Sequence, residues 1–250
     1  MRKTSFSMIA AVFLLCVSGL QAQTGKNTWL GGLITGGSLA GSSANTLGGL
    51  GHFSAGLSGS VSTDPYDNYS LSSGSVSGVL ALGILEGSRL GPAVHGILSV
   101  DAFLRVGKLT VNGLGSDGAA FWGLGGRVGI LRNSILTPAV SVSFAHHETG
   151  EIGLGGRIFG AANPVETDLS VNSFRVDVSK NLFVFTPYGG FGANRVSEER
   201  GAGSVVAKLE KTESVAYGGL EWNILVLRLG LEVMRTAGET IGMANVRVTF

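Results

Sequence analysis

Two adjacent histidines, His146 and His147, are the residues in this sequence most suited to catalysis. They lie near the end of an alternating apolar run. With the polar residues near them they form a cluster that comprises His146, His147, Glu148, Glu151, Asp168 and Ser170. A histidine base that is oriented by a carboxylate and stands beside a serine is the arrangement of a hydrolase. The same residue types bind metals, but neighbouring side chains on a strand point to opposite faces. A polar rim, with no catalytic or metal site, is the simpler interpretation.

A second set of reactive side chains consists of arginines and carboxylates that share one parity class of the predicted strands. The set comprises Asp101, Arg105, Arg127, Arg175, Asp177, Glu221, Arg228, Glu232 and Arg247. Uncharged polar members of the same class are His95, Ser141, Ser143, Tyr217 and Asn245. The forked guanidinium suits buried carboxylate pairing better than an ammonium does. An enclosed charge needs a partner, so the set predicts either a packed, salt-bridged interior or a narrow, slightly cationic pore.

These side chains are positioned by strands, because apolar and polar residues alternate with a period of two through most of the chain. The alternation predicts ten strands, at 51–62, 72–86, 93–106, 118–131, 138–148, 168–180, 182–196, 211–221, 225–236 and 241–250. Each is long enough for a tilted membrane strand, which needs about 9–11 residues, with the extra residues outside the bilayer.

The predicted connections alternate in length. The longer ones are 63–71, 107–117, 149–167 and 197–210, and the shorter ones include 87–92, 132–137 and tight turns at Lys180-Asn181 and Trp222-Asn223. Asparagine tolerates the left-handed conformation that a two-residue hairpin requires. Membrane barrels have short turns on the periplasmic side and long loops outside, so both termini are expected on the periplasmic side. The four-residue connection 237–240 is the exception.

Aromatic residues in the other parity class predict two girdles on the outer wall. Phe53, Phe183, Phe185, Trp222 and Phe250 are expected near the periplasmic edge. Trp122, Phe144, Phe174 and Phe191 are expected nearer the outer edge.

The composition narrows the class of protein. The net charge is +1, which suggests neither nucleic acid nor an acidic partner. Residues 1–22 have the basic start and apolar stretch of a secretory signal peptide, with cleavage expected after Ala22. The only cysteine, Cys16, lies in this segment, so the mature chain is expected to have no disulfide. Beyond residue 22 no run of about 18 apolar residues predicts a membrane helix.

Residues 23–50 differ from the rest because they are rich in Gly, Ser, Thr and Asn. They are interpreted as a periplasmic tail, a plug inserted into the barrel, or an eleventh strand. If they form a strand, residues 151–161 could supply a twelfth. The barrel itself is expected to occupy residues 51–250, with ten strands favoured and twelve or eight as alternatives.

The last strand carries the most specific signal. Ala244, Val246 and Val248 alternate with polar residues and lead to a terminal Phe250. This resembles the C-terminal targeting strand of bacterial outer-membrane β-barrels, although Val248 stands where a second aromatic is common. The resemblance implies an all-β fold, a closed antiparallel up-and-down transmembrane β-barrel in the bacterial outer membrane. It also implies contact with lipid and lipopolysaccharide, and handling by periplasmic chaperones and the β-barrel assembly machinery.

The sequence leaves three functions open. The first is a structural or interaction role for a barrel with a filled, charge-balanced lumen, without enzymatic activity, cofactor or metal. The second is a narrow channel for small, anionic solutes, which the lumen arginines favour. The third is a hydrolase at the outer rim, which depends on the His146–His147 cluster.

Overall fold

The computed structural model describes residues 29–41, 43–66, 69–90, 94–111, 118–134, 137–154, 165–202 and 205–250. The predicted signal peptide, residues 1–22, lies outside the described residues. In the part of the chain that is described, none of the helical structure has the length and apolar character needed to cross a membrane.

The described chain contains one short helix and a series of strands. Helix α1 spans Trp29–Thr35. The strands are β1 Phe53–Tyr66, β2 Tyr69–Leu85, β3 Ser88–Leu90, β4 Val94–Ile97, β5 Ser99–Val111, β6 Ala119–Leu131, β7 Ala139–Thr149, β8 Ile152–Leu154, β9 Val165–Ser179, β10 Phe185–Ala202, β11 Val205–Ile224, β12 Leu227–Thr236 and β13 Glu239–Thr249.

Ten of these strands form a closed antiparallel barrel. Its order is β1-β2-β5-β6-β7-β9-β10-β11-β12-β13, and β13 pairs with β1 to close the ring. The short β8 adds only to the edge of β9, while β3 and β4 form a separate hairpin. The prediction of a ten-stranded barrel is therefore confirmed, and the twelve- and eight-stranded alternatives are wrong.

The barrel wall buries one parity class of side chains, polar and apolar together, and exposes a mainly apolar class on its outer face. Along β5, Asp101, Phe103 and Arg105 point inward and are buried, while Leu104 and Val106 point outward and are exposed. This alternation suits a sheet whose outer face meets lipid. Closure gives every wall strand a neighbour on both sides, which satisfies the backbone hydrogen bonds that lipid cannot satisfy.

The two ends of the barrel differ. The turn end carries the connections 132–138, 180–184 and 225–226, together with Phe53 and Phe250, where the first and last strands meet. The loop end carries the connections at 67–68, 112–118, 150–164, 203–204 and 237–238. If the termini of the sheet are periplasmic, the loop end faces outward.

The two tight turns lie further along the chain than the asparagine signal predicted. The left-handed residues are Phe183, with φ 56°, and Leu225, with φ 55°. Placing the turns at Lys180-Asn181 and Trp222-Asn223 was wrong because the asparagines serve as hydrogen-bonding groups. Asn181 Oδ1 accepts from Thr186 Oγ1 at 3.1 Å, and Asn223 Nδ2 donates to Thr186 Oγ1 at 2.8 Å.

The second connection was also predicted wrongly. It runs from 86 to 98 and contains the β3–β4 hairpin, whereas a short turn at 87–92 was expected. Leu98 has a left-handed φ of 60°, which interrupts the alternation, so β5 begins only at Ser99. His95, which was assigned to the lumen, consequently lies in β4 and outside the barrel sheet.

Two of the predicted outer loops are largely strand. β1 and β2 remain paired as far as Tyr66 and Tyr69, and β10 and β11 as far as Ala202 and Val205. Both had been predicted as connections, at 63–71 and 197–210. Beyond the bilayer, however, a paired strand needs no apolar face, and backbone pairing continues with cross-strand ion pairs such as Lys208–Glu199, 3.4 Å apart.

Candidate functional site

The interior of the barrel is occupied by the chain itself. Residues 29–49, called here the lumen segment, precede β1, and residue 42 lies outside the described part. From Leu30 onward the described residues of the segment are buried or nearly so. The segment hydrogen-bonds inward-facing side chains of β1, β2, β5, β6, β9, β10 and β12. A segment that contacts strands all around a closed sheet lies within it.

An apolar cluster lies in the half of the lumen near the loop end. Leu30, Leu33 and Ile34 of α1 are buried in one cluster with inward-facing wall residues. The wall members include Leu109, Val111, Phe121, Leu169, Val171, Val196, Val215, Tyr217, Met234, Ile241 and Met243. Ala237, in the loop-end connection between β12 and β13, packs against this cluster. The helix therefore closes the lumen at the loop end by apolar contact.

Glycines let α1 approach the wall closely. A Cβ on Gly31 would lie 3.0 Å from Val196 Cγ2, and one on Gly32 would lie 2.6 Å from Thr236 Cγ2. Neither position has room for a larger residue without movement of the wall. The glycines that weaken a helix by propensity are thus explained here by packing.

Two arginines bind main-chain carbonyls where α1 ends. Arg105 Nη1 donates to Ile34 O at 3.1 Å and to Thr35 O. Arg175 Nε donates to Gly37 O at 3.0 Å, and its Nη2 donates to Asn194 Oδ1 at 2.7 Å. The last carbonyls of a helix have no partners within the helix, so buried guanidinium groups can satisfy them.

A carboxylate binds the main-chain amides that follow. Glu232 accepts from Gly37 N at 2.9 Å and from Ser38 N at 3.3 Å. The charges of Arg105, Arg175 and Glu232 are thus brought together around residues 34–38. Both signs of charge are needed because each backbone residue offers one donor and one acceptor. The arginines donate to carbonyl groups, and the glutamate accepts from amide groups.

Nearer the turn end, an ion pair holds the next part of the lumen segment. Arg127 Nη2 lies 2.7 Å from Asp101 Oδ2, and both side chains are buried. Arg127 Nη1 donates to Ser43 O at 2.8 Å, and Leu47 N donates to both oxygens of Asp101 at 3.1 Å. The two side chains therefore neutralise each other's charge and also hydrogen-bond the backbone of the lumen segment.

Two further parts of the charged set form wall contacts. Asp177 accepts from Ser143 Oγ at 2.8 Å and from Ser141 Oγ at 3.4 Å. Glu221 pairs with Arg247 at 2.5 Å and with Arg228 at 3.2 Å. Arg228 is the half-buried member of the predicted set, while the other eight are buried.

The lumen segment leaves the barrel at the turn end. Thr46 Oγ1 lies 2.7 Å from Ser99 Oγ, and Asn45 Nδ2 donates to Asn181 Oδ1 at 3.1 Å. Gly49 passes so close to Gly83 that a Cβ on Gly83 would overlap Gly49 O. The chain then turns into β1 at Phe53.

The aromatic residues predicted for the girdles all face outward. At the turn end, Phe53 stacks on Phe250 and Phe185 on Trp222, with centroids 5.0 and 6.0 Å apart. Phe183 occupies the adjacent turn and is fully exposed.

The other four girdle residues do not lie at one level. Trp122 lies toward the loop end of β6, beside His146 at 6.1 Å. Phe144 and Phe174 face each other at 4.9 Å, about half-way along β7. Phe191 also faces outward and lies in the half of β10 nearer the turn end.

The histidine cluster is divided between the two faces of the wall. His146 faces outward and contacts Asn172 Oδ1 at 3.0 Å and Glu148 Oε1 at 3.1 Å. His147 faces inward and is fully buried. Ser170 pairs with Glu148 across the strands, and no described hydrogen bond joins a serine to either histidine. Within the described residues, no group of three or more His, Cys, Asp and Glu could hold a metal ion.

The inward parity class held a signal that sequence reasoning missed. It contains a group of apolar residues in the half nearer the loop end, where Phe121, Val171, Val196, Met234 and Ile241 point inward. A water-filled lumen would leave these side chains wet. This group of inward apolar residues indicates an apolar occupant, and Leu30, Leu33 and Ile34 are the residues that pack against it.

A closed antiparallel barrel with an apolar exterior and an enclosed polar network is the fold of bacterial outer-membrane β-barrels. No family model and no curated protein matches the sequence. Among solved structures, the translocator domain of the autotransporter NalP from Neisseria meningitidis is similar with a TM-score of 0.50 at 12% identity, over 80% of this chain and 87% of that one.

Two other solved structures are similar over most of their length. The beta domain of the Bordetella autotransporter BrkA has a TM-score of 0.48 at 12% identity, over 80% of this chain and 99% of that one. The attachment invasion locus protein Ail of Yersinia pestis has a TM-score of 0.40 at 14% identity, with the same coverage. The NalP domain, with its TM-score of 0.50, supports the fold alone, and an identity of 12% says nothing about activity.

Proposed function

We propose that this protein is an integral outer-membrane barrel, sealed by its own lumen segment, with a structural or interaction role. The observation that carries the proposal is the position of residues 29–49, which bind the inner wall through main-chain atoms on all sides. Export with removal of residues 1–22, and insertion by the assembly machinery through β13, complete the proposal.

Two layers of different chemistry support a sealed lumen. The apolar cluster around α1 excludes water near the loop end. The Asp101–Arg127 pair and its neighbours fill the lumen nearer the turn end. Solutes would have to displace both layers. The exposed hairpins at the loop end, with surface ion pairs such as Arg195–Glu210, are the parts suited to contact lipopolysaccharide or an external partner.

Planar-bilayer recording tests the seal. The refolded full-length protein is expected to give no stable conductance steps, whereas a chain in which β1 follows the signal peptide directly, without residues 23–49, is expected to conduct. The control for folding is the heat-modifiable mobility of both proteins on gels. Reproducible steps from the full-length protein at low voltage would contradict the proposal.

The second candidate is a gated narrow channel. It is favoured by one observation, that the described lumen segment is held by hydrogen bonds and packing around Gly31, Gly32, Gly36 and Gly37. Each such hydrogen bond can be exchanged for one to water, at a net cost of about 1.5–3 kcal/mol where a charged side chain takes part. Steps that appear only above a threshold voltage, and that change ion selectivity in Arg127→Ala, would identify this function.

A further inference from the structure

Three large apolar side chains protrude from the turn end of the barrel. They are Leu98, just before β5, Phe183, between β9 and β10, and Leu225, between β11 and β12, and they are called here the apolar tips. Phe183 and Leu225 are almost fully exposed, and Leu98 is 63% exposed. We infer that the apolar tips are inserted into the inner leaflet of the outer membrane. The inference rests on the proposed function for the identity of the membrane and of its two sides.

The backbone at the apolar tips has a conformation that apolar residues seldom adopt. Leu98, Phe183 and Leu225 have φ values of 60°, 56° and 55°. Glycine, asparagine and aspartate reach this left-handed region most readily, and they are the usual residues of turns that meet water. A large apolar side chain at such a position gains free energy only where it leaves water. The residue types at these turns therefore favour an apolar surrounding.

The apolar tips continue the outward-facing surface of the wall. Phe185 follows Phe183 by two residues and stacks on Trp222, which precedes Leu225 by three. The residues beside the tips in these two turns are exposed and apolar as well, namely Leu182, Val184, Ile224 and Val226. The surface is thus apolar from the stacked rings to the tips. Lipid already covers the wall at the rings, so lipid is the occupant that can cover the tips without a boundary between them.

The main chain of the two turns is hydrogen-bonded in the way that lipid contact requires. Leu182 N donates to Phe185 O at 2.7 Å, and Phe185 N donates to Leu182 O at 3.0 Å. Val184 O accepts from Asn223 N at 2.7 Å, which joins one turn to the other. Lipid offers no partner for backbone polar groups, so a segment that enters it must satisfy them internally. Contact with water or with a protein would impose no such demand.

The height of the apolar wall also favours insertion. On β12 the outward residues are apolar from Leu227 to Val233, and Arg235 comes next in the same class. A rise of about 3.3 Å per residue and a tilt of about 40° make this stretch roughly 15 Å tall. The apolar band of an outer-membrane barrel is about 25 Å tall. Leu225, in the turn below Leu227, extends the band in the direction where it is short.

Fluorescence quenching in phosphatidylcholine vesicles tests the placement of the tips in the full chain. Cys16→Ser removes the only native cysteine, and one labelled cysteine is then introduced in each variant. Phe183→Cys and Leu225→Cys report on the tips, Leu231→Cys on the outer wall, and Glu86→Cys on an exposed charged position at the turn end. We expect nitroxide lipids to quench the two tip labels. Iodide, present on both sides of the membrane, should quench them several-fold less than it quenches Glu86→Cys.

The control positions separate this inference from the proposed function, and heat-modifiable mobility first establishes that each variant is folded. If iodide quenched both tip labels as strongly as Glu86→Cys while Leu231→Cys remained in lipid, the inference would be overturned and the integral barrel would not. Strong iodide quenching of Leu231→Cys in folded protein would contradict the integral barrel, and the inference would be rejected with it. Tips that iodide reaches in vesicles but not in native outer membranes would indicate a periplasmic protein as the occupant, which also overturns the inference.

Discussion

Replacing Asp101 with leucine is expected to lower the free energy of unfolding by about 3–5 kcal/mol, because it leaves a buried guanidinium without its partner. Arg127 is 2% exposed and donates two hydrogen bonds to the Asp101 carboxylate, at 2.7 and 3.2 Å. The same change removes the acceptor of Leu47 N. Urea unfolding of the barrel in lipid vesicles, followed by tryptophan fluorescence, measures the loss.

The double variant Asp101→Leu with Arg127→Leu provides the matched comparison. Removing both charges eliminates the unpaired ion, so we expect the double variant to recover most of the stability lost in Asp101→Leu. Glu210→Gln removes an ion pair on the exposed surface of the loop-end hairpin, and no resolvable change is expected there. If Asp101→Leu were as stable as the native protein, the ion pair would not hold the lumen closed.

Replacing Gly37 with valine is expected to displace the lumen segment and open the barrel. A Cβ at this position would overlap Glu232 Oε1 and the Tyr217 ring, both on the inner wall. Overpacking of this kind costs about 1–3 kcal/mol, which raises the population with the segment displaced by roughly 5- to 150-fold. Single-channel recording should then detect conductance steps that the native protein lacks.

Gly59→Val is the control for this experiment. Gly59 belongs to the wall strand β1. The nearest atom to a Cβ added there is Ser75 O at 3.9 Å, which is an ordinary contact distance. This variant should remain silent in the bilayer. Conductance that is equal in Gly37→Val and Gly59→Val would mean that general loosening of the wall, and not loss of the seal, produces the current.

The strands could be predicted from sequence because lipid and lumen impose opposite demands on alternate residues. β6 was expected at 118–131 and spans Ala119–Leu131, and β12 was expected at 225–236 and spans Leu227–Thr236. The alternation also assigned Asp101, Arg127 and Glu232 to the inner face. Where the bilayer ends this demand disappears, which is why the extended hairpins β1–β2 and β10–β11 were mistaken for loops.

The partners of the inward charges could not be predicted from the alternation. Arg105, Arg175 and Glu232 bind main-chain atoms of the lumen segment, and any sequence offers main-chain atoms. The position of the lumen segment inside the barrel was therefore not indicated by its Gly and Ser content. The apolar inward residues around Phe121 and Val171 carry that information, but only once the barrel is known to be closed.

A disulfide between Thr46→Cys and Ser99→Cys is the most direct measurement of the central claim, that the lumen segment occupies the barrel. The two native hydroxyl oxygens lie 2.7 Å apart, one on the segment and one on the wall. Ser60→Cys with Ser75→Cys, whose hydroxyls lie 2.8 Å apart on neighbouring wall strands, serves as the positive control. We predict that both pairs form disulfides in intact outer membranes and shift mobility on non-reducing gels. Formation of the wall pair without the segment–wall pair would contradict the account.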